Sequence, residues 1–195
     1  MKKIFYRSCF LIAIVTILTI VVFKLKKNKY ENIASKELSI ANNEILNGNL
    51  NIGISTLNGI ILRFPKTLSS YQAKLIKSDI LVKENKYKEA INTLNNLLSN
   101  CKLKNIKSIA KIRIIYIYDM LKNYDKTILY SKKFIEENNN HFLTKNIYLN
   151  LAESYVKIKM KNKAIKTFNE IIVKYPETKE AKISKNRINE INYIN

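Results

Sequence analysis

The strongest constraint in this sequence is a constant spacing between four small residues. Gly53, Ala90, Thr127 and Ala164 follow one another at intervals of 37 residues. Mainly apolar residues recur one, four, seven and eight positions after each of them, and these offsets share one face of a helix. Such a period predicts tandem helical hairpins, in which each unit buries its apolar face against the next. The competing interpretation is a helical bundle without repeats, which does not require a constant spacing.

Two amphipathic stretches form the clearest unit, between Ile147 and Pro176. Small side chains at Ala152 and Ala164 allow the two predicted helices to approach closely, and larger apolar side chains surround that contact. The 195 residues include only 3 glycines and 2 prolines, which disfavours sandwiches and barrels with many tight turns. The sequence therefore predicts an all-α fold.

This pattern resembles the tetratricopeptide-repeat family, whose characteristic positions are occupied in the last unit by Leu151, Ala152, Tyr155, Ala164, Phe168 and Pro176. The resemblance extends over about residues 34–194. It implies an α-solenoid of about four helix-turn-helix repeats, followed by a capping helix that covers the last repeat. The predicted repeat domain spans residues 28–195, with repeats at about 34–66, 71–100, 106–138 and 145–176 and the cap at 177–194.

An uncharged apolar run, Ser8–Phe23, lies between Arg7 and Lys24. Its 16 residues would span about 24 Å as a helix, and snorkelling of the flanking basic side chains extends that reach toward a hydrocarbon core of about 30 Å. The run ends in lysines, which disfavours a cleaved signal peptide, and Cys9 lies too early for a lipoprotein signal. We therefore expect a single transmembrane signal anchor within residues 1–27.

Basic residues flank the apolar run on both sides, so the positive-inside rule hardly decides its orientation. Short N-terminal tails usually stay in the cytoplasm, and we therefore expect an extracytoplasmic repeat domain, periplasmic on a bacterial inner membrane. Residues 70–98 and 108–128 are similar to the periplasm-facing ancillary subunit of the Sec translocon. Residues 164–191 also resemble repeats of outer-membrane assembly lipoproteins and of the Tol-Pal-associated coordinator.

The first helices of such repeats line a concave groove, in which extended or helical peptides bind. In this register the polar groove positions, which we predict to contact a partner, are occupied by Asn42, Asp79, Tyr116, Asp119 and Glu153. An apolar set accompanies them, formed by Leu38, Ile45, Leu75, Val82, Ile112, Leu149 and Val156. These apolar side chains either line the groove or pack between neighbouring repeats. Leucines also replace the lysines with which some members of the family clamp a C-terminal carboxylate, so we do not expect that clamp.

The sequence offers no catalytic, metal-binding or cofactor-binding pattern. Its single histidine, His141, lies in a predicted loop without a nearby nucleophile, and no spacing of His, Cys or carboxylates matches a metal site. Cys9 lies in the apolar run and Cys101 in a predicted loop, so a disulfide between them is not expected. The net charge of +20 comes from lysines on all predicted faces, which is typical of a solvated surface rather than a specific nucleic-acid site.

These features predict a non-enzymatic, membrane-anchored scaffold or adaptor that binds partner proteins or peptides in bacterial envelope translocation or assembly. The anchor would confine the groove to the membrane plane and raise the effective concentration of membrane-bound partners. An alternative is a permanent structural subunit of an envelope assembly complex, of the outer-membrane assembly or Tol-Pal kind. A third hypothesis places the domain in the cytoplasm, where its positive charge would meet acidic polymers.

Overall fold

The computed structural model describes residues 2–193, with side chains from Ile14 onward, and this part of the chain is helical without any strand. Its helices are α1 (Lys2–Leu46), α2 (Leu50–Arg63), α3 (Leu68–Lys83), α4 (Tyr87–Asn100), α5 (Lys104–Met120), α6 (Tyr124–Glu137), α7 (Thr144–Lys157), α8 (Lys161–Lys174) and α9 (Lys179–Tyr193). The prediction of an all-α chain is confirmed.

The period of the sequence recurs in the helix boundaries. The second helices of the four hairpins each contain 14 residues and begin at Leu50, Tyr87, Tyr124 and Lys161. The helices before them end at Leu46, Lys83, Met120 and Lys157. Both series have an interval of 37 residues, which is the spacing that the small residues predict. Each small residue is the fourth of its helix and is buried.

The turn inside each hairpin contains a residue with the left-handed backbone conformation. The φ angles are 85° at Gly48, 60° at Asn85, 54° at Lys122 and 60° at Lys159. The N–H of each turn residue donates to the carbonyl three residues earlier, and the following N–H donates to the carbonyl five residues earlier. This is the Schellman arrangement, which satisfies the last carbonyls of the first helix and reverses the chain.

Two prolines mark the ends of the first and fourth hairpins, and the same threonine turn follows each of them. The hydroxyl of Thr67, two residues after Pro65, donates to a carbonyl at 2.7 Å and accepts from the N–H of Ser70 at 3.1 Å. Thr178, two residues after Pro176, makes the equivalent bonds at 2.7 Å and 3.3 Å. These threonines cap the N-termini of α3 and α9.

The chain divides into two compact units, Met1–Lys77 and Ser78–Asn195, so that the boundary falls within α3. In the first unit α1 and α2 pack closely at Gly53, where a β-carbon would lie 2.5 Å from Cγ1 of Ile45. Glycine is therefore required for this approach of the two helices.

The predicted membrane anchor falls on the N-terminal part of α1. The side chains of residues 8–13, which begin the apolar run, lie outside the described part. From Ile14 onward, no described helix combines the length and apolar character needed to cross a membrane. Helix α1 continues without interruption to Leu46, so the run shares one helix with the start of the first hairpin.

Two apolar clusters lie among α5 to α9 in the described part of the second unit. The larger is built from α7, α8 and α9 and contains Tyr148, Leu151, Ala152, Tyr155, Ala164, Phe168, Ile171 and Ala181. The smaller joins α5, α6 and α7 through Ile112, Ile115, Phe134 and Ile147. Ala152 and Ala164 are fully buried within the larger cluster, as expected for residues that allow close approach. These clusters hold α5, α7 and α9 in a fixed order.

Candidate protein-interaction surface

Four of the five predicted groove residues lie in the second unit. Asp79 is on α3, Tyr116 and Asp119 are on α5, and Glu153 is on α7. Asn42 belongs to α1 of the first unit, where it is half-buried. We refer to the surface formed by Asp79, Tyr116, Asp119 and Glu153 as the first-helix face.

The apolar companions of these residues are part of the core rather than of an open groove. Leu38, Leu75 and Ile112 are 8%, 6% and 5% exposed. Leu149 is half-buried and packs against the larger cluster. Of the two interpretations that the sequence leaves open, packing between helices therefore holds for these four positions.

Asp79 is bound by an arginine from the next first helix. Arg113 on α5 donates from Nε to Oδ1 and from Nη2 to Oδ2 of Asp79, both at 2.7 Å. Two parallel bonds of this kind fix the orientation of both side chains. The pair links α3 to α5 on the first-helix face.

Glu153 is bound in the same way by Arg187 of α9. The distances are 2.7 Å from Nε to Oε1 and 2.8 Å from Nη2 to Oε2. Arg187 also donates to Glu190, and hydrogen bonding to Glu153 is the largest cause that raises the pKa of its guanidinium. In both pairs the arginine lies 34 residues after the carboxylate. We call Asp79–Arg113 and Glu153–Arg187 the arginine bridges.

The junction between α5 and α7 has no arginine bridge. The positions that correspond to the bridging carboxylate and arginine are occupied here by Tyr116 and Asn150. Tyr116 is 40% exposed, whereas Asp119, one helical turn further on α5, is half-buried. This α5–α7 junction therefore presents an aromatic ring beside a carboxylate.

Burial dominates the electrostatics of this junction. It raises the pKa of the Asp119 carboxyl, against the opposing effects of a hydrogen bond from Asn150 and of the charge of Lys157, while the charge of Glu153 acts in the same direction as burial. Burial also raises the pKa of the Tyr116 hydroxyl, followed by the effect of the Asp119 charge. Asp119 is thus a carboxylate whose charge is incompletely compensated by the protein.

Asn150 on α7 contributes a buried polar group to this junction. Its Oδ1 atom is shielded from solvent and has no hydrogen-bond partner among the described residues. An unpaired buried acceptor costs about 1–3 kcal/mol. The Nη1 atom of Arg113 in the α3–α5 bridge is likewise shielded and without a hydrogen-bond partner among the described residues.

Sequence analysis identifies the acidic members of the face and misses their arginine partners. The signal was present in the register, because Arg113, Asn150 and Arg187 are separated by the repeat interval of 37 residues. Each arginine also follows a carboxylate by 34 residues, which brings them onto adjacent first helices.

Other polar residues that the sequence singles out have structural roles. The ring of His141 stacks on Phe142 at 4.7 Å between centroids and meets the edge of Phe134 at 5.8 Å. Its Nδ1 atom accepts from the N–H of Leu143. Cys101 is a free thiol and is buried at the end of α4. The described side chains contain no cluster of three or more His, Cys, Asp or Glu residues that could hold a metal ion.

Comparisons with known proteins identify the repeat. Residues 147–178 match the family model of the tetratricopeptide repeat. No curated protein matches the sequence.

Solved structures share the fold at low sequence identity. A tetratricopeptide repeat protein from Parabacteroides merdae superposes with a TM-score of 0.67 at 14% identity, over 82% of this chain and 60% of that protein. The present chain thus spans less than two thirds of that protein. MamA from Desulfovibrio magneticus RS-1 gives a TM-score of 0.61 at 14% identity, over 82% and 84% of the two chains. A variant of a kinesin light chain-like protein from Podospora anserina, with nearly identical tetratricopeptide-like repeats, gives 0.63 at 11% identity, over 83% and 86%.

These likenesses establish the architecture, and the equivalent hairpin turns, small residues and helix lengths explain it physically. The similarity to a particular translocon subunit or lipoprotein is not shown by them. The chain has the all-helical fold of tetratricopeptide-repeat proteins, and its residues 147–178 match the repeat of that family.

Proposed function

We propose that this chain is a membrane-anchored scaffold, without catalytic activity, that captures partner proteins or peptides on the first-helix face of its second unit. Tetratricopeptide repeats typically bind proteins or peptides, which makes this class of function the natural expectation for the fold. The observation that carries the proposal is the α5–α7 junction, where Tyr116 is 40% exposed and the half-buried Asp119 has no arginine bridge, unlike Asp79 and Glu153.

Rigid placement supports a binding role for this face. Ile115 and Ile117, which flank Tyr116 in sequence, are at most 2% exposed, so the backbone of α5 is fixed by the core. The arginine bridges hold α3 to α5 and α7 to α9. A partner would therefore meet side chains that are already positioned and would lose little affinity to their ordering.

The proposal of membrane anchoring rests on the sequence of Ser8–Phe23 and on the continuity of α1. A sixteen-residue run without charge, followed by Lys24, Lys26, Lys27 and Lys29, suits a helix that leaves a bilayer at an anionic headgroup layer. Because α1 reaches Leu46 without a break, an inserted run would hold the first hairpin close to the membrane. Tethering of this kind raises the effective concentration of partners in the same membrane.

A role in bacterial envelope protein translocation or assembly, with the repeats on the periplasmic side, is the biological setting that we propose for this scaffold. It rests on the resemblance of residues 70–98 and 108–128 to a translocon-associated subunit. The alternative within the same setting is a permanent subunit, whose first-helix face is always covered by one neighbour.

In-cell photocrosslinking tests the proposal directly. A benzoyl-phenylalanine residue replaces Tyr116 in the full chain, and the control places it at Leu129 of α6, which is 63% exposed. We expect crosslinked partners from position 116 in the membrane fraction and few from position 129. The double substitution Leu18→Lys and Val21→Lys should move the chain and its crosslinks out of the membrane fraction, because charges within an apolar run oppose insertion.

The pattern of products separates the alternatives. Many substoichiometric products indicate an adaptor, and one stoichiometric product indicates a permanent subunit. Equal crosslinking from both positions would contradict partner binding at the first-helix face. A membrane fraction unaffected by the two lysines would contradict the anchor.

A further inference from the structure

The α5–α7 junction differs from its neighbours in a way that specifies a ligand. At the junctions on either side, an arginine of the chain itself neutralises the carboxylate of the first-helix face at distances of 2.7–2.8 Å. At the central junction the arginine position is Asn150, which carries no charge, and the position of the bridging carboxylate is Tyr116. The carboxylate of this junction is Asp119, three residues further on α5, and it has a hydrogen bond from Asn150 and the charge of Lys157 nearby but no arginine bridge.

Tyr116 provides the second element of this ligand site. It lies three residues before Asp119 on α5, and residues at this spacing are neighbours on a helix surface. Its ring is 40% exposed, although the residues on both sides of it in the sequence are buried. An exposed aromatic face next to a carboxylate suits a planar cation, which can stack on the ring and donate two hydrogen bonds to the carboxylate.

We propose that Tyr116 and Asp119 form a subsite for an arginine side chain of the partner, which supplies at the α5–α7 junction the guanidinium that Arg113 and Arg187 supply at the adjacent ones. This inference rests on the proposed function, since it names the chemistry that the first-helix face recognises. Lysine fits less well, because its ammonium group is a point charge that cannot form two parallel bonds or stack as a plane.

The neighbouring charges are compatible with a cationic ligand. Glu153 on α7 acts electrostatically on Asp119, and its negative charge attracts a cationic ligand. Arg187 already binds Glu153 and reduces this attraction. Lys157, also on α7, opposes a cation because its own charge acts on Asp119, but its side chain is exposed. A partner carboxylate would instead be repelled by Asp119, which disfavours recognition of acidic peptides at this point.

The test uses two small probes of matched shape and the full chain in detergent micelles. N-acetyl-arginine amide carries the guanidinium, and N-acetyl-citrulline amide replaces it by a neutral urea group. We expect the arginine probe to shift the NMR signals of Tyr116 and of the Asn150 side-chain amide, and the citrulline probe to leave them unchanged. N-acetyl-lysine amide should bind more weakly than the arginine probe.

Variants separate the subsite from nonspecific attraction. Asp119→Asn should weaken the arginine probe by about tenfold, which is the effect expected for losing hydrogen bonds to a charged group. Tyr116→Phe should retain binding and Tyr116→Leu should lose it, because only the first keeps the aromatic face. Lys157→Gln should tighten binding. Asp125→Asn, which removes an exposed carboxylate from α6, is the matched control and should change nothing.

Equal effects of the arginine and citrulline probes, or unchanged arginine binding in Asp119→Asn, would overturn the subsite. The proposed function would survive that result if crosslinking from position 116 in cells still captured partners. Absence of those crosslinks, together with specific binding of the arginine probe, would instead contradict partner capture and leave the subsite standing.

Discussion

At the scale of single residues, the Asp119 carboxyl stands out because its pKa is raised. It is half-buried on α5, and burial is the largest cause of its raised pKa. By contrast, Glu137 on α6 has a lowered pKa, since a hydrogen bond from Lys111 outweighs its burial. The presence or absence of a cationic partner thus decides the sign of the shift.

The raised pKa of Asp119 predicts a pH-dependent effect of Asp119→Asn. The folded state binds the proton more tightly than the unfolded state, so stability falls as pH rises from the ordinary carboxyl pKa through the raised one. Asparagine removes this titration. We expect the variant to have a higher thermal midpoint than the parent chain at pH 7, with a difference that shrinks toward pH 4.

Circular-dichroism melts across that pH range provide the measurement. Asp125→Asn is a suitable control, because Asp125 lies in the first turn of α6, where a negative charge favours the helix. It should lower the midpoint slightly at pH 7. A midpoint for Asp119→Asn that equals the parent value at pH 7 would show that solvent compensates the Asp119 charge.

The contacts of single residues were also the part of the structure that the sequence predicted least completely. The repeat register placed Asp79 and Glu153 on the first helices as predicted partner-binding positions, and that binding role stays a prediction. It did not reveal that arginines bind them, because each arginine follows its carboxylate by 34 residues rather than by the 37-residue period, and the packing of adjacent first helices brings the two together. The apolar positions at Leu75 and Leu149 were ambiguous because burial between helices depends on packing geometry.

At the scale of the helical elements, the hairpin turns are the most regular feature of the molecule. The same Schellman bonds close all four of them, although the left-handed residue is glycine only at Gly48. The hairpins themselves could be predicted from the constant spacing. The left-handed conformation of Lys122 and Lys159 could not, because lysine has no preference for positive φ and adopts it here only to complete the turn.

Glycine at a strained turn should stabilise the fourth hairpin. Lys159 has φ of 60°, a conformation that costs an L side chain about 1 kcal/mol relative to glycine. We expect Lys159→Gly to increase the free energy of unfolding by up to about 1 kcal/mol, reduced by the greater freedom of glycine in the unfolded chain. Urea denaturation monitored by circular dichroism measures this difference.

A matched substitution in regular helix should have the opposite sign. Lys166 is exposed in the interior of α8, where glycine costs roughly 0.5–1 kcal/mol relative to alanine. Lys166→Gly should therefore destabilise the chain. If both substitutions destabilise it equally, the turn residue is not strained.

At the scale of the whole molecule, the second unit is built from contacts between consecutive helices. Each helix from α4 to α9 packs on the next one, and α7 also contacts α9. Stability in such an arrangement depends on nearest neighbours, so a terminal helix matters mainly to the hairpin that it covers. This dependence follows from the repeat period and was predictable, whereas the polar bonds that dock the last helix were not.

Helix α9 is attached to α7 through polar as well as apolar groups. Asn146 donates to Glu180 at 2.9 Å, and Lys145 forms an ion pair with the same carboxylate at 3.4 Å. Burial raises the pKa of the Glu180 carboxyl. Hydrogen bonds from its own N–H, Lys145 and Asn146 and the charge of Lys145 together outweigh burial, so the pKa is lowered overall. Beneath these bonds, Ala181 is fully buried in the larger cluster.

Removal of α9 should therefore loosen the second unit in a graded manner. A chain that ends at Thr178 loses the cover of Ala181 and the Arg187 bridge to Glu153. In hydrogen exchange we expect protection to fall most in α7 and α8, less in α6, and least in α4 and α5. The exposed apolar surface of α7 and α8 should also promote aggregation.

Ala181→Arg provides a version of this experiment that keeps the chain length. A buried charge at this position should undock α9 and produce the same gradient, whereas Lys182→Ala, on the exposed side of α9, should leave protection unchanged. The gradient is the decisive observation, because it distinguishes stacked hairpins from a bundle with one shared core. A uniform loss of protection from α4 to α8 would mean that the second unit unfolds as a single cooperative block, and the nearest-neighbour account of its stability would then be wrong.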